Sequence, residues 1–99
     1  MKKKKFNEYA KLIALGFGVP KKRLFEPIQE REIVDARQLL YLVCFRDGFP
    51  LVSIQRLMVS KGYNVKNHSS ISHGIKRMTI QIEKDSDYKK IVEEICDTQ

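Results

Sequence analysis

Phe6, Tyr9, Ala10, Ile13, Ala14 and Phe17 recur at intervals of three and four residues, the spacing that lines one face of an α-helix. The spacing predicts an amphipathic helix from Lys5 to about Gly16, with Lys2 to Lys5 leading in and Gly16 and Gly18 as its stop. Pro20 suits the first position of a short second helix that turns Leu24 and Phe25 inward, and Pro27 ends it. From Arg31 onward, Ile33, Val34, Ala36, Leu40, Tyr41, Val43 and Cys44 describe a long helix whose broad apolar face suits a central place in a bundle. "RDGFP", Arg46 to Pro50, breaks that helix, and Leu51, Ile54, Leu57 and Met58 mark a shorter one that stops near Gly62.

The connection "YNVKN" leads to Asn67, a good N-cap because its side-chain oxygen can accept from an orphan backbone N–H of the first turn. On the helix that follows, Ile71, Ile75, Met78 and Ile82 fall within an arc of about 60°, a buried stripe. Ser69, Ser72, His73, Lys76 and Arg77 share the opposite face, pointing outward together. A closing helix from Asp85 to Ile95 carries Tyr88, Ile91, Val92 and Ile95 inward, with Ser86 or Asp87 as cap. No stretch alternates with period two, so the expected fold class is all-α, with five or six short helices.

Composition narrows the functional range. With 99 residues and 42% hydrophobic content, the chain fits one globular domain with a modest core. Its longest apolar runs fall well short of the roughly 20 residues that span a bilayer. "MKKKKF" resembles the charged start of a signal peptide, but Asn7, Glu8 and Lys11 interrupt any apolar region after it. A cytoplasmic protein with no membrane association is expected. Cys44 and Cys96 are separated by 51 residues and read as free thiols. Charge is uneven: Met1 to Ile80 holds 16 Lys and Arg against 6 Asp and Glu, whereas the remainder holds 3 against 6. A basic body with an acidic tail favours a polyanionic partner.

Several chemistries fit the sequence poorly. His68 and His73 lie about 140° apart around a helix, the wrong spacing for two ligands of one metal, and no third ligand is evident. Ser69, Ser70 and Ser72 lack a nucleophile elbow and an orienting carboxylate. No phosphate-cradling G-x-x-x-x-G-K-[ST] loop is present, so no nucleotide, metal or other cofactor is expected, and no enzyme. A solvated polar face is the plainest alternative. Against it stands the order of elements: a short helix, a connection, and a capped helix with short polar donors in its first turn and cations beyond. A helix-turn-helix reader of the DNA major groove is built in that way, with first-turn side chains at base edges and cations and hydroxyls at phosphates.

"REIVDARQLLYL", Arg31 to Leu42, and "NHSSISH", Asn67 to His73, resemble the long helix with its A-R-Q core and the R-D-H-[ST]-T-V-x-H signature of the C-terminal DNA-binding domain of the bacterial replication initiator DnaA. "GFGVPKKRL" is similar to the short segment upstream. The likeness covers a core of about residues 6–82, followed by an acidic helix over about 85–96. It implies a helix-turn-helix within a small Trp repressor-like all-α domain, and double-stranded DNA as partner. Carried over by position, the base readers are Asn67, His68, Ser69 and Ser70. His73 falls near the phosphates, as do Lys76 and Arg77 on the same face, and Arg37 and Gln38 match a backbone-contacting pair.

Departures from the family pattern are specific. Asn67 replaces an aspartate and can donate as well as accept, while Ser69 and Ser70 replace threonines and lack the methyl that rests against thymine. Gln29 stands where the family places a minor-groove arginine, and Arg31 is the nearest cation, two residues on. The connection from Val59 to Asn67 is about five residues longer than the family's tight turn, with Lys61 and Lys66 as its phosphate contacts. Nothing corresponds to the initiator's ATPase region. The expected function is sequence-specific duplex binding by a stand-alone domain that regulates replication or transcription, such as a phage or mobile element carries. A replication or transcription protein is a second class of partner. The alternative is a protein-interaction or structural module on the same fold, with non-specific DNA binding or none.

Overall fold

In the computed structural model, which describes residues 2–97, helix α1 spans Lys2–Phe17 and a 3-10 helix spans Lys21–Phe25. Helices α2 (Arg31–Arg46), α3 (Leu51–Ser60), α4 (His68–Lys84) and α5 (Ser86–Asp97) follow. The fold is all-helical, with no strand among the described residues.

Helix α2 is the hub. Leu39, Leu40, Leu42, Val43 and Cys44 are all buried, and since consecutive residues point about 100° apart, a run of this kind must be covered on nearly every side. Helix α1 supplies Phe6, Tyr9, Ala10, Ile13 and Ala14 to that cover, and α4 supplies Ile71, Ile75, Met78 and Ile82. Each fully buried Leu, Ile or Met contributes about 1.5–3 kcal/mol relative to exposure. Aromatic pairs close the seams: Phe6 with Phe25 at 6.0 Å between centroids, Tyr9 with Phe49 at 6.4 Å and Phe17 with Tyr88 at 5.1 Å. Burial holds the Cys44 thiol far above its usual pKa, and neither cysteine forms a disulfide. No helix among the described residues is long and apolar enough to cross a membrane.

Element ends depart from expectation in small, physical ways. Lys2 to Lys5 belong to α1 itself, which runs past Gly16 and turns at Gly18. The cap of α5 is Asp85, whose Oδ1 accepts from the backbone N–H of Asp87 at 3.1 Å and of Tyr88 at 3.2 Å, so neither Ser86 nor Asp87 fills that place. After α3 the chain turns at Gly62 with φ 98, a left-handed conformation costly for a residue bearing Cβ. This turn launches the connection to α4.

The crossing of α4 over α2 is close. A Cβ at Gly74 would lie 2.9 Å from Gln38 Cγ and 3.2 Å from Tyr41, so a side chain at this point of contact would have to push both neighbours aside.

Candidate nucleic-acid interface

The first turn of α4 is built by its own side chains. Asn67 is extended (φ −153, ψ 169), and its Oδ1 accepts from the Ser69 backbone N–H at 3.1 Å and from the Ser69 hydroxyl. The Ser70 hydroxyl donates to the Asn67 carbonyl at 3.2 Å. With Oδ1 committed to the cap, the Asn67 amide nitrogen is the group left to face outward, which makes it a donor. Asn67, His68, Ser69 and Ser70 are all exposed, and no acidic residue sits in the first turn to compete with an incoming anion. The positive end of the helix dipole adds to that preference.

Polar groups from three other segments surround this turn. A surface cavity of about 370 Å³ brings Gln29, Gln38, Tyr63, Lys66, Asn67 and Ser70 to one place, although they come from the connector before α2, from α2, and from the α3–α4 connection. That connection is anchored: Gln55 Nε2 donates to the Val65 carbonyl at 2.9 Å, and Val65 is buried. Lys66 is exposed and Lys61 half-buried. Further along α4, His73 and Lys76 are exposed on the outer face, as the periodicity predicts.

Three arginines are placed differently from expectation. Arg37 is only 3% exposed: Nε donates to the Leu24 carbonyl at 2.8 Å and Nη2 to the Glu26 carbonyl at 2.8 Å, with the guanidinium 4.2 Å from the Tyr63 ring centroid. It clamps the 3-10 helix and the connection onto α2, so its bonding serves the fold. Arg77 is half-buried, and its Nη1 donates to Asp35 Oδ1 at 2.7 Å and to Gln38 Oε1 at 2.6 Å. It does not share the outward face with Lys76, because an acceptor pair on α2 draws it in. Arg31 lines a different cleft, beside Asp87 and Tyr88, with Nε 4.0 Å from Asp35 Oδ2. Gln29, rather than Arg31, is the residue that reaches the surroundings of the α4 turn.

Asp35 is the buried partner of this face that sequence reasoning missed. Its carboxylate is nearly inaccessible and accepts from Arg77 on α4 and from the Tyr88 hydroxyl on α5 at 2.8 Å. Burial, reinforced by this hydrogen bond, raises the Tyr88 pKa. A charged residue between Val34 and Ala36 within an apolar helix was the available signal, since a buried charge requires a partner.

The imidazoles of His68 and His73 have no hydrogen-bond partner among the described residues, and the hydroxyls of Ser69 and Ser70 are turned to Asn67. No group of three His, Cys, Asp or Glu residues among the described residues is arranged to hold a metal ion. Comparison with known proteins returns no matching family model, no matching curated protein and no matching solved structure.

Proposed function

We propose that this chain binds double-stranded DNA, with α3, the connection and α4 acting as a helix-turn-helix whose first α4 turn reads base edges in the major groove. The observation that carries this reading is a capped, exposed helix start lined by polar side chains, free of acids, and seated on a helix whose other face is buried. The resemblance of "DARQLLYL" and "NHSSISH" to the C-terminal domain of DnaA points the same way. Asn67, His68, Ser69 and Ser70 meet bases, and Lys61, Lys66, His73 and Lys76 meet phosphates, with Gln29 and Gln38 at the edge of the footprint. By occupying such sites the protein regulates replication or transcription. Because Asn67 presents its amide nitrogen, it selects an acceptor edge, such as guanine O6 and N7 or thymine O4.

The test is selection of bound duplexes from a random pool at near-physiological salt, followed by competition against unrelated DNA of equal length. An enriched motif establishes a sequence reader; its absence rejects one. Asn67→Asp refines the test. It keeps a capping oxygen, and so the helix, but removes the donor, and should change the preferred base at one position.

A rival reading has a specific basis. Arg37 and Arg77 are turned inward and Arg31 faces the α5 side, which leaves fewer cations around α4 than the sequence suggests. A protein-interaction module on this fold would then bind DNA weakly and without preference, and its affinity would fall steeply with salt.

A further inference from the structure

Lys21 and Lys22, on the 3-10 helix, and Lys61, at the head of the α3–α4 connection, line one surface cleft of about 530 Å³ together with Phe25 and Glu26. The four ion pairs among the described residues lie elsewhere, at Asp47, Glu30 and Asp35, and none involves these lysines. Three cations are thus gathered around a cleft with one carboxylate on its lining. Burial, then the charges of Lys61 and Lys11, lower the Lys21 pKa, and Glu8 opposes the shift. Such a group is held together against its own repulsion, and an anion entering the cleft relieves it.

The fold makes this placement firm. Arg37 takes the carbonyls of Leu24 and Glu26 and stacks on Tyr63, which fixes the 3-10 helix beside the connection, two residues from Lys61. The connection then runs to Asn67 at the head of α4. At full extension that stretch covers roughly 20 Å, so the cleft and the α4 turn lie within reach of one duplex. DNA carries one charge per about 1.7 Å of axis, so several phosphates fall along that distance.

We propose that the cleft of Lys21, Lys22 and Lys61 is a phosphate site for the DNA backbone flanking the segment that α4 reads. This rests on α4 facing DNA. Lys21 and Lys22 extend the footprint across the 3-10 helix and contribute affinity and salt dependence without sequence choice.

The experiment compares the wild type, a Lys21→Ala/Lys22→Ala variant and a Lys89→Ala/Lys90→Ala variant. The last removes the same charge from exposed positions of α5. Each is titrated against a duplex just covering the bound segment and against one extended by about ten base pairs on each side, over a range of salt. The wild type should prefer the longer duplex. The Lys21/Lys22 variant should lose that preference, bind the longer duplex roughly ten-fold less tightly at 0.1 M salt, and show a salt slope smaller by about 1 to 2. Equal losses in the two variants, or a loss equal on both duplex lengths, would overturn the site. Duplex binding without any sequence preference, but with the slope still reduced in the Lys21/Lys22 variant, overturns base reading by α4 and supports the cleft. A wild type that binds no duplex overturns both.

Discussion

Polar side chains at the start of α4 and at Arg77 meet opposite conditions. At its start, Asn67, Ser69 and Ser70 satisfy one another and the backbone, and their environment is solvent. Nearer its end, Arg77 is held by Asp35 and Gln38, while Ile75, Met78 and Ile82 are buried. The helix is thus buried along one face from Ile71 to Ile82, with polar side chains offered to solvent at its start and anchored to α2 at Arg77. Lys76 and Arg77 are adjacent cations, yet only the second has an acceptor facing it. What a polar residue on a helix does depends less on its own chemistry than on what stands across from it.

The largest effect should come from the anchored end. Asp35→Ala leaves the Tyr88 hydroxyl unpaired and Arg77 half-buried without its carboxylate, and is expected to lower stability by about 3 kcal/mol, read as a shift in denaturant midpoint. A loss below about 1 kcal/mol would mean that Arg77 simply relaxes into water. At the offered end, His68→Ala or Ser69→Ala should leave the midpoint nearly unchanged but reduce discrimination between the selected duplex and unrelated DNA by about 1–3 kcal/mol. If Lys66→Ala lowers discrimination equally, the helix start is not reading bases. Between the two ends lies Gly74. Alanine there gains about 1 kcal/mol of helix propensity, but the added methyl presses on Gln38 and Tyr41, and the net expectation is destabilisation by about 1 kcal/mol in thermal or denaturant melts. A stabilised Gly74→Ala protein would show that the crossing can open.

The smallest effect is a drift with pH. Burial raises the folded-state pKa of Tyr9, Tyr41 and Tyr88 above the unfolded value of 10.0, so folding favours their protonated forms. Their contribution is fully present below pH 10 and is lost as pH rises toward the folded values. Cys44, raised by burial from an unfolded value of 9.0, adds to the loss earlier, so denaturant midpoints should begin to fall near pH 9 and fall more steeply above 10. Tyr88→Phe should flatten that fall, and an unchanged slope would remove Tyr88 from the account.

Helical periodicity made much of this legible. The buried stripe of α4, the Asn67 cap and the exposure of His68, Ser69, His73 and Lys76 all follow from residue type and position within one helix. It could not see across helices. Asp35 and Arg77 are 42 residues apart, and nothing local at Arg77 distinguishes it from Lys76. Arg37 was legible as part of "DARQ" but not as a clamp, because its acceptors are carbonyls, which every residue carries. The cap of α5 shows a different limit: Asp85, Ser86 and Asp87 are all able to cap, and only backbone geometry chooses among them.

The anchored connection between α3 and α4 has a thermodynamic consequence. Tyr63 is stacked on Arg37 and Val65 is tied to Gln55, so this segment gives up its conformational freedom when the chain folds, not when a ligand arrives. Association through it then carries little ordering entropy. Its heat-capacity change should follow the area of the contact itself, without the larger signature of a segment that folds as it binds.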